Sequence, residues 1–199
     1  MNKFSFFGLF IGSTLLSSSA FAAVDPEVSY ILNTLLFLIG GFLVMWMAAG
    51  FAMLESGLVT SKSVATIAAK NIGLYSIAGI MFWFVGYNLA YGIPEGGFIG
   101  TFLPWSDASS IETGYSDGSD WFFQMVFCAT TCSIVSGTMA ERIKIWPFFL
   151  FCAILAGVIY PIEMGWQWGK GHLYTAGFSD FAGSTLVHSA GGAAALAGA

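Results

Sequence analysis

The sequence predicts an all-α, polytopic membrane helical bundle, and its composition, segment lengths and loop charges all point to this fold class. Of the 199 residues, 57% are hydrophobic and 9% are charged, with 25 glycines and 20 phenylalanines. A soluble domain carries about 25% charged residues. The 11 acidic and 6 basic residues form no basic run, so binding to nucleic acid is not indicated.

The N-terminus, residues 1–22, has the pattern of a secretory signal peptide. Lys3 precedes an apolar run over residues 4–16, and a small-residue cleavage site, AFA, follows at 20–22. Cleavage after Ala22 is the simplest interpretation. The alternative is an uncleaved first transmembrane helix, although the apolar run is shorter than the roughly 17 to 25 residues that a span needs.

Five apolar segments follow, and each is a candidate transmembrane helix. They cover residues 30–54, 64–91, 121–140, 145–166 and 180–199. An odd number of spans would place a second copy of this unit upside down in the membrane, and inverted repeats of this kind build sites at their shared interface. We therefore interpret residues 23–199 as the N-terminal half of a longer membrane domain whose C-terminal half is missing here.

Loop charge predicts the orientation of these spans. Lys62 and Lys70 flank the first connection, whereas Arg142 and Lys144 form the third. The second connection, residues 92–120, contains five acids without a Lys or Arg. Because cytosolic connections are enriched in Lys and Arg, the odd-numbered connections are predicted to be cytosolic and the mature N-terminus to lie outside.

A histidine inside the fifth apolar segment is the strongest indication of function. His188 follows Asp180 by eight residues, which places it about 12 Å further along a helix and near the middle of a ~30 Å hydrocarbon core. An ionisable side chain at that depth indicates a functional site. Asp180 itself is predicted to cap the start of the segment, where a carboxylate satisfies free backbone amides.

Aromatic residues of two other segments lie nearer the outer side. Phe123 and Phe127 share one helix face through their i, i+4 spacing, and Phe127 lies about 9 Å below Trp121. Trp166 and Trp168 end the fourth segment. Bundle packing and an interfacial aromatic belt are the ordinary roles of such residues. An indole face could also hold a small cation, which would give the order indole, phenyl, imidazole from the outside to the centre.

Four short sequence motifs agree in order and spacing with those of one protein family. They are GFAMLESG at 50–57, FQMVF at 123–127, SGTMAER at 136–142 and DFAGSTLVH at 180–188. With these strings the chain resembles the N-terminal part of an ammonium transporter of the ammonium transporter/methylammonium permease/Rhesus superfamily. The resemblance covers nearly the whole mature segment.

The resemblance implies the first five-helix half of an inverted-repeat ammonium transporter fold, in a homotrimer whose subunits each have eleven spans and a hydrophobic pore. Trp168 would line an outer recruitment site for ammonium. Phe127 would be the inner ring of a phenylalanine gate, with Phe123 behind it or contributing to the recruitment site. His188 would be the first of two pore histidines. Asp180 would support the recruitment site by holding the backbone.

The implied function is ammonium transport in which ammonium is deprotonated at the mouth and ammonia is conducted through the gated, histidine-lined pore. The implied partners are ammonium or ammonia, with methylammonium as analogue, the lipid bilayer of the bacterial inner membrane, and a cytosolic nitrogen-regulatory protein that docks on the C-terminal region. No cofactor or metal is expected, because Cys128, Cys132 and Cys152 all fall inside spans and are predicted to be packing residues. An enzyme is not indicated.

Several alternatives stay open on sequence alone. An ammonium sensor or receptor would share all these residues, and a Rhesus-type gas channel belongs to the same superfamily. A membrane haem protein would need paired histidines, whereas His172 is predicted to lie in a loop. Electrogenic transport and neutral ammonia conduction are not separated, and Glu163, within the fourth segment, receives no role.

Overall fold

The computed structural model describes residues 24–199, and the predicted signal peptide at 1–22 lies outside the described residues. Throughout the described range the regular secondary structure is helical. The α-helices are α1 (Pro26–Leu58), α2 (Val64–Met81), α3 (Tyr87–Tyr91), α4 (Asp117–Thr138), α5 (Ile145–Ile154), α6 (Tyr160–Gly165), α7 (His172–Thr175) and α8 (Ala190–Gly198). Single 3₁₀ turns lie at Ser61–Ser63 and Ile111–Thr113.

Two π-helical turns join successive α-helices into longer rods, and a third forms the start of the last rod. Phe82–Gly86 connects α2 to α3, Leu155–Ile159 connects α5 to α6, and Ser184–Ser189 leads into α8. A π-turn inserts one extra residue and shifts the side chains that follow it around the helix. The rods therefore continue in one direction while they present different faces before and after each turn.

Three helical segments of the described chain are long and apolar enough to cross a membrane. They are Pro26–Leu58, Ser61–Tyr91 and Ile145–Gly165. Together with the helical architecture, they make this an all-α, membrane-embedded protein.

The helix bounds differ from the predicted segments mainly at polar ends. The first helix extends over Pro26–Leu58 rather than 30–54, because Asp25 caps it through a 2.8 Å hydrogen bond from the backbone N–H of Glu27 and Pro26 fits the first turn. The third begins at Asp117 rather than 121, with two acids in its first turn. The last helical segment begins at Ser184, four residues later than predicted.

Helix α4 is the centre of the bundle and packs against α1, α2 and α8. Its polar residues Thr130 and Ser133 are buried, and their hydroxyls donate to the carbonyl oxygens of Val126 and Ala129 one turn earlier. This pairing lets hydroxyl side chains lie in an apolar core. Helix α4 can thus contain polar residues because it faces protein on most of its sides.

Small residues allow α4 and its neighbours to approach closely. A Cβ atom at Gly40 of α1 would lie 2.8 Å from the ring of Phe123, so only glycine fits there. The thiols of Cys128, Cys132 and Cys152 are free and buried in the same core.

The connection over residues 92–116 is fastened to the helix ends beneath it. The Asn88 amide donates to the carbonyl oxygens of Leu103 and Pro104 at 2.9 and 3.0 Å. The Asn33 amide of α1 donates to the carbonyl oxygen of Gly114 at 2.9 Å. These bonds hold the connection over the end of the bundle where α3 ends and α4 begins.

Lys70 does not flank the first connection as predicted, so it cannot be counted among the loop charges that predict the orientation of the spans. It lies inside α2, is 4% exposed, and its Nζ atom is 2.5 Å from Oε1 of the buried Glu55. Nζ also donates to the carbonyl oxygen of Ser136 at 2.8 Å and lies 5.1 Å from the ring centroid of Phe148. The lysine is buried because its charge is matched by a carboxylate on α1, so Lys62, Arg142 and Lys144 alone carry the predicted orientation.

The Glu55–Lys70 pair generates a stability prediction. Replacing one partner by an apolar residue leaves the other charge buried and unmatched, which costs about 3–5 kcal/mol. Lys70→Met should therefore lower the thermal unfolding temperature of the detergent-solubilised protein strongly, and Glu55→Met/Lys70→Met should recover part of the loss. A Lys70→Met variant as stable as wild type would contradict this account.

Candidate functional site

The carboxylate of Asp180 organises the backbone that leads into the last helical segment. Its Oδ1 atom accepts hydrogen bonds from the backbone N–H groups of Gly183 (2.8 Å) and Ser184 (3.1 Å). Its Oδ2 atom accepts from Thr185 (2.7 Å) and Leu186 (2.9 Å). The carboxylate thus satisfies the first amides of the helical segment, which otherwise lack intrahelical partners.

Gly183 occupies a position that only glycine can fill. Its φ angle is +84°, in the left-handed region that side chains disfavour. A Cβ atom there would also lie 2.6 Å from a methyl group of Val187 and 3.2 Å from the indole ring of Trp168. This residue explains why the helix begins at Ser184 and not at Asp180.

Trp168 is held against the same short segment. Its indole Nε1–H donates to the carbonyl oxygen of Asp180 at 2.8 Å. It follows α6, where Gly169 allows close packing because a Cβ atom there would overlap the carbonyl oxygen of Ala90. The indole therefore has a fixed position relative to both α3 and the start of the last helical segment.

An aromatic chain extends from this indole. The ring centroid of Trp168 lies 5.7 Å from that of Phe127 in an edge-on arrangement. Phe127 lies 5.1 Å from Phe123 at an interplanar angle of 90°, and Phe123 lies 5.4 Å from Phe37 of α1. Edge-on pairs at these distances are attractive beyond their buried area. Three of the predicted site residues are thus in direct contact.

His188 joins the group through a contact between its ring and a backbone carbonyl, and not through ring-to-ring packing. The carbonyl oxygen of Gly183 lies 3.3 Å from Nδ1 of His188. A carbonyl oxygen can only accept, so in the neutral imidazole this contact places the proton on Nδ1 and the lone pair on Nε2. The aromatic contacts among residues 24–199 do not extend to His188.

The face of the helical segment that carries His188 is uncovered. Thr185, His188, Gly192 and Leu196 are all exposed, and they recur at the three- and four-residue spacing of one helix face. The opposite side packs on α4 and α6, where Leu186 and Val187 are fully buried. The imidazole therefore lies on a surface of the described chain.

The aromatic residues line an open-sided cavity of about 400 Å³. It is lined by Phe37, Tyr87, Tyr91, Tyr115, Asp120, Phe123, Gln124, Phe127, Trp168 and Phe181. Burial raises the pKa of the Tyr115 phenol, and the carboxylates of Asp120 and Asp117 raise it further. Tyr115 therefore faces the cavity as a neutral phenol at physiological pH.

Sequence reasoning missed Asp120, because it was counted among the acids of the preceding connection. It is a buried residue in the first turn of α4. The signal was present in the sequence: Asp120, Phe123, Gln124 and Phe127 stand at i, i+3, i+4 and i+7, which is one helix face.

Three other residues noted in the sequence, Trp166, His172 and Glu163, lie apart from this cluster. The indole N–H of Trp166 donates to the carbonyl oxygen of Phe98 at 2.9 Å, and His172 stacks on Phe98 with 4.2 Å between ring centroids. Both residues thus fasten the 92–116 connection. Glu163 lines an apolar groove beside α8, and its Oε2 atom is buried without a hydrogen-bond partner in the described chain.

Comparison with known proteins identifies the family. The model of the Ammonium Transporter Family matches residues 35–199, which includes every residue of the site. The chain belongs to the ammonium transporter family. It spans about two-fifths of the length of the curated relatives it matches.

Similarity within the ammonium transporter family extends to sequence and to solved structures. The chain is 42% identical over 175 residues to ammonium transporter Amt2 of Archaeoglobus fulgidus, covering 80% of this chain and 36% of that protein. A structure described as Sensor Amt Protein matches with a TM-score of 0.77 and 32% identity over 84% of this chain and 43% of that one. Candida albicans Mep2 matches with a TM-score of 0.74 and 28% identity over 87% and 40%.

The hydrogen bonds of Asp180 generate the prediction for this site. Asp180→Ala should lower stability by at least ~2 kcal/mol, the upper range for loss of one capping side chain, because four amides lose their acceptor. Asp180→Asn should lie between this variant and wild type, because it keeps one acceptor oxygen. Thermal unfolding measures stability, and tryptophan fluorescence reports the release of Trp168.

Asp107→Ala is the matched control for Asp180→Ala. Asp107 is an exposed aspartate that also accepts a backbone hydrogen bond, at 2.9 Å from Ser109. Replacing Asp107 should leave both the thermal unfolding and the tryptophan fluorescence unchanged. Equal stability of Asp180→Ala and Asp107→Ala would contradict the organising role of Asp180.

Proposed function

We propose that this chain forms the N-terminal half of an ammonium-conducting pore, with Trp168 at the outer recruitment site, Phe127 and Phe123 at the gate, and His188 in the pore. Membership of the ammonium transporter family and the names of the relatives support ammonium transport. The finer assignment to residues rests on their arrangement in the described chain.

One observation carries the proposal: the recruitment side chain and the pore histidine are attached to the same short segment. Trp168 binds the carbonyl oxygen of Asp180, and His188 contacts the carbonyl oxygen of Gly183 three residues later. Asp180 also fixes this segment through its carboxylate. A cation on the indole would therefore lie at a defined distance from the imidazole.

The chemistry follows from the cost of moving a charge into an apolar pore. Ammonium at the mouth can interact with the indole face of Trp168, worth about 0.5–2 kcal/mol. Carrying the bare ion past the phenyl rings would cost far more, so the ion first transfers its proton to solvent water at the mouth. Neutral ammonia then passes Phe127 and donates a hydrogen bond to the free Nε2 lone pair of His188. Potassium is excluded because it has no proton to lose.

The exposed face of His188 fits a pore wall that further residues complete. In the proposal, a second inverted half covers this face and supplies the second histidine and the second gate ring. The whole protein is proposed to be a homotrimer in the bacterial inner membrane, with the mature N-terminus outside. A cytosolic nitrogen-regulatory protein is proposed to dock on the C-terminal region.

The sensor alternative is not favoured. The curated relative quoted above is a transporter by name, whereas one structural neighbour is described as a sensor. Uptake and binding assays separate these two functions directly.

The proposal predicts that uptake depends on Trp168 and His188. In cells without their own ammonium transporters, full-length protein with Trp168→Leu should take up methylammonium with an apparent KM raised about 2- to 30-fold, which corresponds to the loss of one cation–π contact. His188→Ala should reduce methylammonium uptake or change how uptake depends on external pH, while the amount of protein in the membrane stays normal.

Two neighbouring residues of the same types are matched controls. Trp166→Leu and His172→Ala remove a tryptophan and a histidine that fasten the 92–116 connection instead of lining the site. At equal membrane levels they should retain wild-type KM. Wild-type protein that binds methylammonium without uptake would overturn the transport proposal and favour a sensor.

A further inference from the structure

A buried carboxylate forms part of the aromatic cavity beside Trp168. Asp120 is 7% exposed, and it lines the cavity together with Tyr87, Tyr91 and Gln124. The phenol of Tyr87 donates to its Oδ2 atom at 2.7 Å, and the Gln124 amide Nε2 lies 3.4 Å from its Oδ1 atom. The carboxylate is thus oriented by two neutral groups.

The charge of Asp120 has no cationic partner in the part of the chain that the structure describes. The ion pair found over residues 24–199 joins Lys70 to Glu55, on other helices. A buried carboxylate with neutral partners is costly, and a cation placed beside it offsets that cost. The cavity is therefore electrostatically suited to a positive ligand.

Gln124 adds a second acceptor. Because a carboxylate only accepts hydrogen bonds, the amide must direct its NH₂ group towards Asp120. Its Oε1 atom is left buried without a hydrogen-bond partner among the described residues. An oxygen in this state favours a ligand that donates N–H hydrogen bonds.

The remaining walls are aromatic faces and edges. The rings of Tyr87 and Tyr91 lie 4.9 Å apart between centroids, and Phe123, Phe127 and Trp168 close the other side. Aromatic rings attract cations. With about 400 Å³, the cavity has room for a small cation together with several water molecules, each of which occupies about 30 Å³.

We propose that Asp120 and Gln124 form an outer subsite for small N–H cations, such as ammonium and methylammonium, next to the recruitment site at Trp168. The subsite holds the ion with part of its water before the ion reaches the indole. It rests on the proposed transport function, and it adds a carboxylate to a recruitment site assigned only aromatic groups above. Asp120 acts as a specificity-determining residue.

The first test measures methylammonium uptake by the full-length protein as KM and Vmax. Asp120→Asn keeps the shape but removes the charge, and it should raise KM about tenfold or more, the loss typical of a charge-assisted hydrogen bond, with Vmax within about twofold. Tyr87→Phe is the matched control, because it removes a hydrogen bond to Asp120 while it leaves the carboxylate and the ring. Its KM should rise less than about threefold.

An unchanged KM in Asp120→Asn overturns the subsite. Equal KM increases in Asp120→Asn and Tyr87→Phe, each with a lowered unfolding temperature, also overturn it, since they show that Asp120 only positions Tyr87. If Asp120→Asn does not fold, Gln124→Met takes its place, because it removes the free acceptor without changing any charge. It should raise KM about threefold or more, and an unchanged value overturns the proposal.

Equilibrium binding separates this inference from the proposed function. By isothermal titration calorimetry of the purified full-length protein, Trp168→Leu should still bind methylammonium, and Trp168→Leu/Asp120→Asn should not. Wild-type protein that binds without uptake would fail as a transporter, and the calorimetry would still decide the subsite. Loss of all binding in Trp168→Leu alone would overturn the subsite even if uptake by wild type is normal.

Discussion

The four backbone hydrogen bonds to the carboxylate of Asp180 are the constraint on which the site depends. They hold Gly183 in a left-handed conformation that starts the last helical segment, and the carbonyl oxygens of Asp180 and Gly183 then fix Trp168 and His188. Trp168 in turn positions Phe127. A residue that resembles an ordinary helix cap therefore links the outer aromatic site to the imidazole.

Few charged side chains of the described chain are buried, and those that are lie in different environments. Glu55 and Lys70 neutralise each other; Glu55 also accepts hydrogen bonds from the side chains of Asn71 and Ser136, and Lys70 donates to the carbonyl oxygen of Ser136, so the pair joins α1, α2 and α4. Among residues 24–199, Asp120 is stabilised by neutral donors alone, and it faces a cavity. The Glu55–Lys70 pair is therefore structural, because its two charges already neutralise each other. Asp120 is instead a candidate ligand group.

The sequence predicted the helical membrane fold, the family and the cap at Asp180, because hydropathy, short strings and capping chemistry act over neighbouring residues. It did not reveal that Lys70 is buried, since its partner Glu55 lies on another helix. Asp120 was assigned to a loop because averaged hydropathy hides a polar first turn. The late start at Ser184 depends on the φ angle of Gly183, which no pattern of apolar residues encodes. The roles of Trp168, Phe123, Phe127 and His188 stay predictions.

The most direct test of the account is a cryo-EM structure of the full-length protein in lipid nanodiscs with methylammonium. The account predicts ligand density against Trp168 and Phe127, with Asp180 bound to the amides of residues 183–186. It also predicts that His188 lines an enclosed path below the phenyl rings. Ligand density outside both this position and the cavity at Asp120, or a His188 side chain that faces lipid, would contradict the account.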